Sequence, residues 1–270
     1  SNNFDGTIDE FAIFDRALTI DEIKDLYQNA FPRIVVDDIK ADETYIDNIH
    51  LSGDYVYDDP NLVGYWPFEF GSGTKAFDKS IYGNDGNLTN GPTWTSGKFG
   101  QALDFDGVDD YVSAGSGSAL NIIGIISISF WVNPSGTYPA SGNAAGIVSK
   151  ATNNGGTGYV VEQGSDGGIN MYLDNTGAGI GIPNTNQWTH AAFTYDGSNI
   201  RAYKNGVLSA TTAKTGLISS TTEDLIIALR TGVNGKFFNG TIDEVAIWNK
   251  SLSSAEIKRH YRDGLQRHGV

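Results

Sequence analysis

The chain has 270 residues, enough for one large β-domain with an appendage and for a sizeable buried core. Its 18 basic against 32 acidic residues leave a net charge of −14, spread along the length with no basic stretch interleaved with aromatics, which excludes nucleic acid as a partner. Cysteine is absent, so disulfides, thiolate metal sites and thiol nucleophiles are excluded too, whereas cations and neutral glycans remain.

No apolar run approaches the roughly 20 residues of a membrane span, so no membrane insertion is expected. Taken from the amino terminus, the first feature is half of a repeat. Residues 4–27 (FDGTIDEFAIFDRALTIDEIKDLY) align without a gap to residues 238–261 (FNGTIDEVAIWNKSLSSAEIKRHY), with about half the positions identical. Each copy reads as a strand, a short loop and one amphipathic helix. Ser253 and Glu256 have the spacing of a capping box, and Leu252 and Ile257 that of a hydrophobic staple; Thr19, Glu22, Leu18 and Ile23 repeat the device. Only the second copy follows a long strand-and-turn region. Residues 1–30 are therefore expected to be the last strand and helix of an upstream repeat, or else a strand that pairs with a neighbouring repeat or subunit.

Residues 31–61 carry two short alternating runs, 34–36 and 45–51, and read as a linker with a β-hairpin. From residue 62 to 249, short apolar runs alternate with Gly, Asn, Asp and Ser clusters, the pattern of an all-β sandwich. The clearest strands are 125–132 (IISISFWV), 159–163, 169–173, 188–195 and 200–203. Asp196-Gly197 and Asn205-Gly206 supply the positive φ of tight hairpins.

On strict alternation Asp243 shares a face with Val245 and Ile247, a costly place for a carboxylate unless it is coordinated, caps backbone amides or meets a cation. The run from Asp104 to Asp110 reads as a polar turn bending at Asp106-Gly107, or as a cation site. Catalysis finds little support. Glu162 is a single acid on its strand, Glu244 is expected on the face opposite Asp243, and His50, His190, His260 and His268 have no metal or triad spacing.

Sugar recognition calls for an exposed aromatic beside amide or carboxylate groups. Trp66, Trp94, Trp131, Trp188 and Trp248 are expected in the core, because they lie in strands with apolar neighbours. Tyr82, Tyr138 and Tyr172 are the candidate platforms, with Asn143, Asn153, Asn154, Asp174 and Asn175 as polar partners.

Several ordered segments, GYWPFEFGSGTKAFDKSIYGNDGNLTNGPTW, KFGQALDFDGVDDYV, ISFWVNP, WTHAAFTYDGSNIRAYKNG and FNGTIDEVAIWNKSLSSAEI, resemble the LamG-like jelly-roll family of the concanavalin A-like lectin/glucanase superfamily. The resemblance spans roughly residues 62–261. It implies an all-β jelly-roll sandwich of two antiparallel sheets over residues 62–265, closed by a short carboxyl-terminal helix. It also implies a structural calcium, where an acid of the last strand meets the first strand and a DGNL-like turn: here Asp243, Glu69, Asn84 and Asp85. The function implied is a non-catalytic extracellular or cell-surface binding and adhesion module whose partner is a glycan or a cell-surface protein. A structural spacer in a repetitive surface protein is the alternative, and a domain of a glycoside hydrolase a more distant one.

Overall fold

Strand β9 (Ile126–Pro134) shows why the chain forms two layers. Ile126, Ile128, Phe130 and Val132 enter the main core, whereas Ser127, Ser129 and Trp131 alternate to the other side, as the two-residue period of a strand requires. The structure is a computed structural model that describes residues 33–36, 49–52, 59–136, 144–152, 156–231 and 236–264. The first copy of the repeat, Tyr138, Asn143, Asn153 and Asn154 lie outside them.

Contacts divide the chain into two units, residues 1–55 with the last two residues, and residues 56–268. In the first, β1 (Arg33–Val36) pairs antiparallel with β2 (Ile49–Ser52), Ile34 opposite Leu51 and Val35 opposite His50. The second is a sandwich of two eight-stranded antiparallel sheets.

One sheet runs β13 (Thr176–Gly179), β12 (Ile169–Leu173), β11 (Thr157–Gln163), β10 (Ala145–Thr152) and β17 (Ile226–Ile227). It continues through β8 (Tyr111–Ser113) and β5 (Gly86–Thr89) to β4 (Lys75–Ala76). The other runs β16 (Val207–Ala213), β15 (Asn199–Lys204), β14 (Thr189–Tyr195), β9, β18 (Asn239–Trp248), β7 (Gln101–Asp106) and β6 (Thr93–Ser96). Strand β3 (Leu62–Trp66) pairs with β18, so the sandwich's opening and closing strands are neighbours.

The space between the sheets is filled by fully buried side chains, among them Trp66, Phe105, Phe130, Tyr159, Phe193, Tyr195 and Phe238. Helix α1 (Ser254–Asp263) covers the outer face of the second sheet. There Leu252 and Ile257, the expected staple pair, join Leu62, Tyr65, Ala192, Tyr203, Ala246 and Trp248 in a second apolar cluster. The capping box forms, with Glu256 N–H donating to Ser253 Oγ at 3.2 Å and Ser253 N–H to Glu256 Oε2 at 2.7 Å.

The face expected for Asp243 is corrected by a bulge. Strand β18 changes register against β9 between Asp243 and Ala246, and Glu244 takes a φ of 55°. One residue is absorbed, so Ile242, Val245 and Ile247 all enter the core while Asp243 pairs with Trp131 on the outer side. Glu244 is also buried and accepts the Tyr65 hydroxyl at 2.9 Å.

Phe193 is fully buried between the sheets. Its replacement by Ala is expected to lower the unfolding free energy by about 3–5 kcal/mol, measured by urea denaturation.

Candidate functional site

Asp243 and Glu69 come together on the turn between β6 and β7. Asp243 Oδ2 accepts the N–H groups of Lys98 at 2.8 Å and Phe99 at 3.1 Å, and Glu69 Oε2 accepts that of Gln101 at 3.0 Å. The turn itself closes through Gly97 N–H to Gly100 O at 3.0 Å, with Gly100 at a φ of 45°. A side chain at Gly97 would press on Asp243 and one at Gly100 on Glu69, so both carboxylates pack directly against this backbone. Asp243 therefore caps backbone amides, one of the roles considered for it. Its other oxygen, Oδ1, is buried and makes no hydrogen bond of ordinary geometry among the described residues. Burial, reinforced by the Glu69 charge, pushes its carboxyl up to about 7 against the pull of the turn's amides.

Asn84 and Asp85 belong to a different loop, organised by buried Asp78. Asp78 accepts the N–H groups of Tyr65, Ser80 and Asn84, and its own N–H donates to Asp85 Oδ1 at 3.0 Å. Asn84 bridges to the first strand, its Nδ2 donating to Val63 O at 2.9 Å while its carbonyl accepts the Trp66 indole N–H at 2.9 Å. Among the described residues, the acid cluster close enough to share an ion is Asp106, Asp109 and Asp110, with ligand atoms within 4.8 Å of one another. Its geometry is that of a turn: Asp106 Oδ1 accepts the Val108 N–H at 2.7 Å, and Gly107 has a φ of 77°.

Tyr172 lies on the outer face of the first sheet. Strand β12 sends Ile169, Met171 and Leu173 into the core, so Asn170 and Tyr172 face away, opposite Gly179 and Gly177 of β13. A side chain at Gly177 would meet the Tyr172 ring at 2.5 Å, and one at Gly179 would strike the Asn170 amide. The two glycines thus form a floor on which the ring and the amide rest. Beside them Glu162 of β11 faces the same way, with Arg230 Nε 2.9 Å from its Oε2, both side chains largely buried. Desolvation outweighs the nearby Arg230 and Lys236 charges and raises the Glu162 carboxyl above its ordinary range. The backbone of Leu229 and Arg230 crosses directly over Gly146 of β10, which has no side chain to obstruct it, and this crossing places Arg230 on the face.

Asp174 is committed to structure. With Asn175 it forms a positive-φ turn between β12 and β13, and its carboxylate accepts the N–H groups of Gly158 and Ser219. Tyr82 is 41% exposed and donates its hydroxyl to Pro60 O at 2.8 Å.

The tryptophans divide. Trp66 and Trp248 are buried as expected, and Trp94 packs half-buried against the core. Trp131 is buried too, 3% exposed, but on the outer side of the second sheet, where it and the half-buried Trp188 line a pocket of about 330 Å³ together with Lys98, Phe99, Asn205 and Tyr261. Sequence reasoning missed Lys98, Asn205 and Tyr261, which belong to a turn, a hairpin and the closing helix. The alternation of β9, which sends Trp131 away from Phe130 and Val132, was the available signal.

These two antiparallel sheets, with the closing strand seated beside the opening one, define a jelly-roll sandwich of the lectin type. Residues 106–258 match the Concanavalin A-like lectin/glucanases superfamily, and the chain belongs to that family. A comparison with curated proteins finds no match. Among solved structures, domain 4 of AbnA, a GH43 extracellular arabinanase from Geobacillus stearothermophilus solved with arabinotriose, is 18% identical. It covers 75% of this chain and 98% of its own length at a TM-score of 0.60. The binding domain of Paraclostridial Mosquitocidal Protein 1 is 17% identical over 74% of this chain and 52% of its own, at 0.59. Trypanosoma rangeli sialidase in complex with sialic acid is 15% identical over 75% of this chain, at 0.58, and the match spans 33% of that enzyme. At these identities the likeness is one of fold.

The raised Asp243 carboxyl sets a pH dependence. Its folded value of about 7 lies above the unfolded 3.8, so between these values the folded chain holds more protons, and stability falls as pH rises through that window. In EDTA, Asp243→Asn is expected to flatten the decline between about pH 4 and 7, worth on the order of a few kcal/mol, as read from chemical denaturation across pH.

Proposed function

We propose that the chain is a non-catalytic glycan-binding module, and that the outer face of the first sheet around Tyr172 is its contact surface. The observation that carries this is the ring of Tyr172 resting over Gly177, with Asn170 over Gly179 and the Glu162–Arg230 pair alongside. An aromatic ring lying over a strand offers its surface to the C–H face of a sugar. Amide, carboxylate and guanidinium groups at its margin can take the hydroxyls. Support comes from the arabinotriose complex of the arabinanase domain and from the binding domains of the toxins that share the fold. Hydrolysis needs two carboxylates flanking the bond, and on this face Glu162 is matched with a guanidinium.

Export and display at a cell surface, beside a neighbouring repeat or a surface protein, complete this reading; among the described residues no helix is long and apolar enough to cross a membrane. The Asp243–Glu69 pair is proposed as the acidic half of a structural calcium site. Two adjoining carboxylates, one with a buried oxygen that makes no hydrogen bond of ordinary geometry among the described residues, suit a hard cation as well as a proton. Calcium in place of EDTA is expected to raise the melting temperature at pH 8 in the natural chain and not in Asp243→Asn. An unchanged melting temperature in both would leave the proton as the pair's neutralising partner.

On a glycan array that includes arabino-oligosaccharides, the chain is expected to bind without releasing reducing ends. Tyr172→Ala should weaken the signal at least tenfold while the circular dichroism spectrum is kept. Full binding by that variant would remove the sheet face from consideration.

A further inference from the structure

The pocket on the opposite side of the sandwich has a composition of its own. Trp131 forms its base, with the Tyr261 ring 5.6 Å away at 27° and the Phe99 ring edge-on at 5.9 Å. Trp188, half-buried, is a further aromatic wall. His190 stands 5.3 Å from Trp131 and is pushed down to about 3 by burial, so this layer is neutral at physiological pH.

The polar groups at the rim are donors. Lys98 Nζ lies 4.6 Å from the Trp131 ring centroid and makes no ion pair among the described residues. Its backbone is fixed by the N–H bond to Asp243. Asn205, at a φ of 51°, is held to His190 twice: its N–H donates to His190 O and its Oδ1 accepts the His190 N–H, both at 2.9 Å. This clamp leaves the Asn205 Nδ2 hydrogens without a protein acceptor among the described residues. Arg262 adds a guanidinium, and among the described residues no carboxylate lines the pocket.

We propose that this pocket is a second binding site, independent of the Tyr172 face, and that its ligand is a hexuronic acid residue of an acidic glycan. A pyranose carboxylate matches both halves of the lining, a C–H face meeting the half-buried Trp188 indole and its charge meeting Lys98 and Arg262. Phosphate or sulfate alone would leave the half-buried Phe99, Trp188 and Tyr261 rings uncovered, and a neutral sugar would leave the ammonium unmatched. The pocket's volume, at the small end of the ~300–1,000 Å³ of ligand sites, suits one or two sugar rings. The acidic surface elsewhere does not forbid an anion here, because charges beyond about 8 Å are largely screened at physiological ionic strength.

The test titrates the full chain with methyl β-D-glucuronide and methyl β-D-glucoside, followed by tryptophan fluorescence and by ligand-observed NMR. The glucuronide is expected to saturate in the millimolar range or below and to bind at least tenfold tighter than the glucoside. Lys98→Met should abolish that preference, and Trp188→Ala should weaken both sugars at least fivefold, with melting temperatures reporting that each variant is folded. Tyr172→Ala should bind the glucuronide as the natural chain does, which separates this site from the sheet face. Equal affinity for the two sugars, no saturation by the glucuronide, or unchanged binding in both pocket variants would overturn the proposal.

Discussion

Strand β18 is the member on which the rest of the molecule leans. It is hydrogen-bonded to β9 along one edge and to β7 and then β3 along the other, so the last strand of the sandwich bonds both to its first strand and to its middle. An interior antiparallel strand leaves few backbone groups unmatched, and every edge it covers is an edge that need not find water or another chain. Sequence separations of this size are entropically costly to close, and the dry core between the sheets offsets that cost through burial.

The bulge in β18 couples fold to site. By absorbing one residue at Glu244 it keeps Ile242, Val245 and Ile247 in the core and turns Asp243 outward beneath the β6–β7 turn. Asp243 then holds the amides of Lys98 and Phe99, and those two side chains sit against Trp131, the strand partner of Asp243. A single irregularity thereby sets a buried carboxylate, a tight turn and the aromatic pocket. The Glu69 carboxylate braces the same turn from the segment that follows β3, at the cost of like-charge repulsion that burial intensifies.

The two outer faces of the sandwich are finished differently. On one, helix α1 lays Ile257 over the sheet and seals Tyr65, Tyr203 and Trp248 from water, leaving a pocket beyond Trp131. On the other, the strands carry polar and aromatic groups, and glycines on β13 leave room for Tyr172 and Asn170 to lie across them. Each outer face also carries basic side chains, Arg230 on one side and Lys98 with Arg262 on the other.

What the sequence determined by itself was whatever depends on near neighbours. Apolar alternation specified strands, Asn-Gly and Asp-Gly pairs specified hairpins, and the spacing of Leu252, Ser253, Glu256 and Ile257 specified how α1 begins; all were legible because the interacting atoms lie within a few residues. The ordered motifs carried the jelly-roll fold for the same reason, each being one local unit. Tyr172 could be chosen as an outward aromatic from the alternation of β12, but not its floor, because Gly177 and Gly179 become its neighbours only when β13 pairs with β12. The face of Asp243 was misjudged because strict alternation ignores a bulge, and the bulge answers to packing on both sides of β18. The alternation of β9 could turn Trp131 outward, but the pocket around it was left to tertiary structure. It joins a turn, two strands' ends, a hairpin and a helix, and only the folded sheet brings these within reach of one another.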